Sequence, residues 1–239
     1  VPLYQYLSGN SNKIETDVTI GIGDIDEMIE EGIRIVGMGF NVVKVKIGID
    51  FQKDIEVIKK LREKLGNNIK LRLDANQGYS VTEAIYMINE IEKYNIDLIE
   101  QPVKYWNYDG LKEIKGKIRI PLFADESIKS PQDAMKLLTM KAVDGLNIKL
   151  MKCGGIYRAL QINSIAEAAG IECMVGCFGE SKIGLTAMAS LASAQLNITR
   201  SDLDTDMSLK ANNLVKGGIY YEKGFVICPE SPGIGVEVN

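Results

Sequence analysis

Short apolar runs rich in Val and Ile alternate with longer amphipathic stretches through most of the chain. The runs at 18–22, 41–48, 69–76, 96–101, 121–126, 144–151, 171–177 and 197–204 read as strands. Between them apolar positions recur every three or four residues. Ile55, Ile58, Leu61 and Leu65 line one face of a helix over 52–65, and Ile162, Ile165 and Ala169 do so over 156–169. The pitch is steady: Asp74 to Glu100 is 26 residues, Glu100 to Asp125 is 25, and Asp125 to Lys149 is 24. That spacing holds one strand, one helix and two short loops. Eight strands, seven intervening helices and no long linker predict an α/β chain of the (β/α)8 TIM-barrel type rather than a doubly wound open sheet. Residues 205–239 break the rhythm with Gly217–Gly218, two prolines and a hairpin-like stretch, and are expected to form a separate small element.

Alternation within the strands separates the two sides of the barrel. Apolar positions pack under the helices, so residues of opposite parity point to the axis. Val43, Val45 and Ile47 go outward, which leaves Lys44 and Lys46 inside. Leu71 and Leu73 leave Arg72 and Asp74 inside, and Leu146, Ile148 and Leu150 leave Asn147 and Lys149 inside. Buried charge is expensive unless it is paired or binds something. A single strand-end charge reads most simply as a helix cap or a solvated loop residue. Four successive strands ending in charge at matched pitch point instead to a site at the C-terminal mouth.

Position on the ring then suggests chemistry. Asp74, Glu100 and Asp125 close the third, fourth and fifth strands, so three carboxylates sit side by side and repel unless a divalent cation joins them. Lys46 and Lys149 close the second and sixth strands, across the axis from each other. Two amines on opposite faces of one carbon can remove a proton from one side and return it on the other. A divalent cation beside a substrate carboxylate would stabilise the enediolate so formed. Each lysine must be neutral to act as base, and burial and the neighbouring Lys44 ammonium are expected to lower its pKa.

Composition narrows the field further. With no histidine in 239 residues, a Ser-His-Asp triad, a Cys-His pair and a His-ligated zinc site are all excluded. Acid–base work falls to Lys, Asp, Glu, Tyr or Cys, and a metal would sit on oxygen ligands. The net charge of −4 argues against a nucleic-acid surface. No apolar stretch approaches the ~20 residues of a bilayer crossing, so no membrane partner is expected. Cys153, Cys173, Cys177 and Cys228 make neither a disulfide framework nor a zinc ribbon, and reduced thiols are expected. The segment VPLYQYLSGN has neither the basic nor the apolar region of a signal peptide, so a cytoplasmic protein is expected.

Five segments taken together resemble the enolase superfamily, muconate lactonizing enzyme subgroup, in order, strand position and spacing. They are K-V-K at 44–46, L-D-A-N at 73–76, E-Q-P at 100–102, A-D-E-S at 124–127 and N-I-K-L-M-K-C-G-G at 147–155. The resemblance covers essentially the whole chain. It implies the modified (β/α)7β form of the barrel. It also implies Asp74, Glu100 and Asp125 as Mg²⁺ ligands (Mn²⁺ as an alternative), Lys46 and Lys149 as the acid/base pair, and Lys44 as an electrostatic helper. The subgroup holds muconate cycloisomerases, o-succinylbenzoate synthases, N-acylamino acid racemases and dipeptide epimerases.

S-D-L-D-T-D-M at 201–207 is similar to the D-x-D of dipeptide epimerases, whose carboxylates receive the free ammonium of a dipeptide. Here these would be Asp202 and Asp204. An acidic pair opposite the metal suits a substrate with a cation at one end and a carboxylate at the other. The alternative is a solvated acidic loop. The activity implied is an isomerase, a Mg²⁺-dependent dipeptide epimerase working by 1,1-proton transfer at the α-carbon of the C-terminal residue. An N-acylamino acid racemase or o-succinylbenzoate synthase is the nearest alternative. A Schiff-base lysine and an inactive metal-binding barrel fragment are the others.

The family carries an N-terminal capping domain, and the resemblance leads to the expectation that it is absent from this chain or supplied as another chain. Residues 1–17 are then expected to be the junction, 18–206 the barrel, and 207–239 a segment that returns to the cap and has no partner here. Homo-oligomerisation is left open. Lys152 reads as a loop residue, Glu180 in GCFGES receives no role, and Tyr105, Trp106 and Tyr108 read equally as packing or as a rim of the site.

Overall fold

A computed structural model describes residues 1–208 and 215–238 of the chain. A short helix α1 (Leu3–Tyr6) and a strand β1 (Lys13–Glu15) precede the barrel. The barrel begins with β2 (Val18–Ile20), α2 (Ile25–Gly37), β3 (Val42–Lys46), α3 (Phe51–Leu65), β4 (Lys70–Asp74) and α4 (Val81–Ile91). It continues with β5 (Ile96–Glu100), α5 (Tyr108–Lys115), β6 (Leu122–Ala124), α6 (Pro131–Thr139) and β7 (Gly145–Ile148). A one-turn helix α7 (Leu150–Cys153) then leads to α8 (Ile156–Ala168), β8 (Glu172–Gly176), α9 (Lys182–Ala194) and β9 (Ile198–Asp202).

Strands β2 to β9 form one parallel sheet in sequence order. A bridge between Thr16 and Ser201 brings its two ends together. Seven helices of eight residues or more stand between the eight strands, and among the described residues none of that length follows β9. The (β/α)7β reading is borne out.

Local sequence explains the element ends. Ser80 and Glu83 form a capping box at α4. Asp24, Asp50, Ser130 and Ser181 accept backbone N–H groups at the starts of α2, α3, α6 and α9. On α3, Ile58 and Leu61 are fully buried as the periodicity requires, with Ile55 and Leu65 packed at the edge. On α8, Ile162 is buried and Ile165 half-buried, but Ala169 is exposed and the inward face is completed by Ala159 and Ala166.

The sixth strand is shorter than expected. It ends at Ile148, Lys149 stands just before α7, and Leu150 begins that helix instead of continuing the strand. Gly154, at φ +87°, stops the helix after one turn.

Inside the barrel, Leu98, Phe123 and Met174 form a small apolar cluster separate from the core under the helices. Gly145 belongs to this layer, because a Cβ there would fall 2.2 Å from the Phe123 ring. Arg72 lies inward as its parity predicts, bonded to Asp17 at 2.8 Å and to Asp97 at 2.9 Å. These partners explain how the barrel tolerates a buried guanidinium.

Beyond the barrel come α10 (Thr205–Ser208), β10 (Val215–Gly217), β11 (Tyr220–Glu222), β12 (Phe225–Ile227) and β13 (Val236–Val238). The hairpin expected near 219–227 is β11–β12. The expectation that the tail has no partner is corrected: β12 pairs antiparallel with β1, Lys13 opposite Ile227. Residues 209–214 and 239 of the expected C-terminal segment lie outside the described residues. Among the described residues no helix is long and apolar enough to cross a membrane.

Candidate active site

The parallel ladder carries three acids to one arc of the barrel mouth. Asp74 and Glu100 are the last residues of β4 and β5 and face each other in register. Asp125 is one residue past the end of β6, its N–H donating to Gln101 Oε1 at 2.9 Å. All three are buried, and each offers a carboxylate oxygen within 4.8 Å of the other two. Asn147 donates to Glu100 Oε1 at 2.7 Å. Glu100 Oε2 lies 2.9 Å from Lys44 Nζ but outside hydrogen-bonding geometry, so this buried oxygen has no hydrogen bond.

Four lysines surround the acids. Lys44, 1% exposed, places its ammonium 3.0 Å from Asp74, 2.9 Å from Glu100 and 2.6 Å from Asp202. Lys46, at the end of β3, donates to Asp74 Oδ2 at 2.7 Å and to Asn76 Oδ1 at 2.8 Å. Lys149 donates to Asp125 Oδ2 at 2.8 Å and lies 4.8 Å from the centre of the Phe178 ring. Since β3 and β7 are four strands apart in a ring of eight, Lys46 and Lys149 approach the acids from opposite sides. Lys152, expected in a loop, sits on α7 with its ammonium buried against Asp125.

These contacts set the protonation states. Burial, then the Asp74 charge, raises Glu100 to about 7. Burial works in the same direction on Asp125, but Lys152 and Lys149 outweigh it and hold that carboxyl well below the usual range. The expected lowering of the catalytic-lysine pKa is not found for Lys149. Burial does oppose its charge, yet Asp125 and Glu100 prevail and hold the ammonium well above the usual lysine range. Lys44 is raised in the same way, burial opposing and Asp202, Asp74 and Glu100 prevailing.

The acidic pair from the eighth barrel strand stands at the opposite side of the mouth. Asp202 is buried and largely committed to Lys44. Asp204 is half-buried, accepts the Thr19 N–H at 2.7 Å, and is raised by burial and by Asp202. With Thr19, Lys46, Lys149 and Cys177 these acids line a cavity of about 520 Å³. The structure therefore brings all eight sequence-predicted residues into one site. Tyr105 and Trp106 are exposed and do not line this cavity, while Tyr108 is half-buried against Ser127 and Asp133. Glu180 is buried, bonded to the Phe178 N–H, and braces the loop after β8.

Several contributors were not singled out from sequence. Asn147 had the inward parity but no assigned role. Gly176 on β8 leaves room for Lys149, since a Cβ there would lie 2.8 Å from Lys149 Cε. A glycine inside a strand is the signal that could have marked it. Asn76 belongs to the L-D-A-N segment but had no assigned role, and Thr19 carries no signal, because its role depends on which strands become neighbours.

Comparison with known proteins is consistent with this geometry. The pattern of the family described as enolase C-terminal domain-like matches residues 27–239. The L-Ala-D/L-Glu epimerase of Clostridium acetobutylicum is 43% identical over 99% of this chain and 66% of its own length. The substrate-liganded L-Ala-D/L-Glu epimerase from Bacillus subtilis superimposes with a TM-score of 0.96 at 41% identity, over 99% of this chain and 66% of that one. The dipeptide epimerase from Enterococcus faecalis complexed with Mg and the dipeptide L-Leu-L-Tyr gives 0.95 at 45% identity, over 98% and 67%. The chain thus spans about two thirds of the length of these relatives.

Proposed function

The chain belongs to the enolase C-terminal domain-like family, and from that premise we propose that it is the catalytic barrel of a Mg²⁺-dependent dipeptide epimerase. The observation that carries this reading is the placement of two lysines on opposite sides of a buried carboxylate arc, with a second acidic pair across the mouth.

The arc suits a divalent cation. Three carboxylates converge in a buried space, and Glu100 retains an oxygen with no hydrogen bond. Asp74, Glu100 and Asp125 would hold the ion. When bound, it supplies positive charge beside the substrate's carboxylate and so stabilises the negative charge left by loss of the α-proton.

The chain's own groups do the rest. Lys46 and Lys149 exchange the α-proton of the C-terminal residue, one taking it from one face and the other returning it on the opposite face. One lysine must be neutral and the other an ammonium at each passage. The Asp125 and Glu100 carboxylates favour the ammonium on Lys149. Lys44 sits between the arc and Asp202 and keeps the two acidic groups from repelling each other. Asp202 and Asp204 receive the dipeptide's free ammonium. Of the two, Asp204 has the freer carboxylate, since Lys44 engages Asp202.

An N-acyl substrate has no ammonium and gains nothing from this pair. The test is turnover of dipeptides against N-acylamino acids in Asp204→Asn. Selective loss on dipeptides supports the reading, and equal loss on both counts against Asp204 as the receptor of the ammonium. The shared length with the relatives supports a capping domain supplied by the rest of a longer polypeptide or by another chain. Free thiols at all four cysteines support a cytoplasmic setting.

A further inference from the structure

We propose that Lys152 is a positioning residue that fixes the Asp125 carboxylate as a ligand for the divalent cation, an inference that rests on the reading of the arc given above. Lys152 projects from α7, and its side chain is only 6% exposed. Its ammonium meets three acceptors: the Asp125 carbonyl at 2.5 Å, Asp125 Oδ1, and the Asn147 carbonyl at 2.9 Å. An ammonium has three donors, and all of them are spent on protein oxygens. Lys152 has nothing left to offer a substrate, so it is not a catalytic residue.

The need for a clamp is local to Asp125. Asp74 and Glu100 are strand residues whose backbones are fixed by the parallel ladder. Asp125 lies beyond β6, whose pairing with β7 ends at Ala124 opposite Leu146. Its backbone is set instead by Gln101 on the N–H and by the Ile128 N–H and Lys152 on the carbonyl, and its carboxylate Oδ1 by Lys152. With Oδ1 held in this way, Oδ2 has Lys149 as its remaining partner. A lysine that only stitched β6 to β7 would need the two carbonyls. The bond to the carboxylate orients the side chain itself.

Charge and orientation make opposite predictions. A buried ammonium beside a cation site repels the cation, so if charge alone mattered, removing it would tighten binding. If it orients the ligand, removing it loosens binding, by the roughly 10- to 100-fold typical of groups that hold a metal ligand in place. The experiment is calorimetric titration of the purified protein with Mn²⁺ in the absence of substrate, for wild type, Lys152→Met and Lys152→Gln. Melting temperatures in EDTA serve as the folding control. The expected result is a Kd raised about tenfold or more in Lys152→Met, and less in Lys152→Gln, which keeps an N–H donor. Unchanged or tighter binding in the folded variants overturns the proposal. Should Lys152→Met not fold, Lys152→Gln decides by the same criterion. Wild-type protein that takes up no Mn²⁺ would overturn the reading of the arc itself, and this inference with it.

Discussion

Glu100 is the residue whose surroundings most need a cation. It is fully buried, one oxygen is bonded to Asn147 and the other has no hydrogen bond, and its carboxyl is raised from 4.5 to about 7. The native protein therefore binds this proton more tightly than the unfolded chain does. Between those two values its contribution makes the metal-free protein less stable as pH rises, by at most about 1.4 kcal/mol per pH unit. Denaturant unfolding across pH 4.5 to 7 in EDTA should show this slope, and Glu100→Gln should reduce it. A wild-type slope that survives in the variant would assign it to other groups. At the mouth, Asp204→Asn should reduce kcat/KM for dipeptides about a hundredfold, the cost of removing one partner of a desolvated charge pair. Asp202→Asn should also disturb Lys44 and so damage every substrate.

Strand alternation was enough to place Lys44, Lys46, Arg72, Asp74 and Asn147 inside, because the pleat has a strict period of two. It could not give the balance of burial against pairing at Lys149, which depends on distances to Asp125 and Glu100.

Elements decide how accurately those side chains are aimed. Gly145 and Gly176 are strand positions where a side chain would collide with Phe123 and with Lys149. Gly145→Ala should destabilise the fold by about 1–3 kcal/mol through overpacking, read as a lower urea midpoint with unchanged m-value. Gly176→Ala should instead displace Lys149, lowering kcat while Mn²⁺ affinity stays within a few-fold of wild type. Equal losses in both quantities would mean that the methyl group displaces Asn147, 2.9 Å away, and with it the bond to Glu100, rather than Lys149 alone. Most strands, and the helices over 52–65 and 156–169, were legible from periodicity. The end of the sixth barrel strand was not. Leu150 continues the apolar alternation of 146 and 148, so the pattern does not show that the chain turns into α7 after Ile148, and the Gly154 that stops this one-turn helix comes only four residues later. Lys152, three residues after Lys149, reads as loop rather than catalyst for that reason; it lies instead on a helical turn, from which it reaches back over Asp125.

For the whole molecule, the barrel is closed by contacts between distant parts of the chain. Thr16 bridges Ser201, and β1 pairs with β12, so the first and last segments lie together on one side. Pitch and motif order made the ring of eight legible. This packing of the ends was not, because three-residue strands carry too little pattern to name their partners. A cation bound by groups from β4, β5 and the β6 end joins separate strands and should stabilise the fold as a unit. Mg²⁺ at about a hundred times its Kd should add about 2.7 kcal/mol, a rise of about 5–10 °C in Tm that EDTA reverses.

The central claim is that Lys46 and Lys149 serve opposite faces of one metal-supported α-carbon. It is tested most directly by mass-spectrometric deuterium incorporation at the C-terminal α-carbon of L,L and L,D dipeptides in D₂O, with the capping domain present. Exchange should require Mg²⁺ and stop in EDTA. Lys46→Ala should abolish exchange from one epimer and Lys149→Ala from the other. Exchange that persists without metal, or two lysine variants that lose the same epimer, would contradict the account.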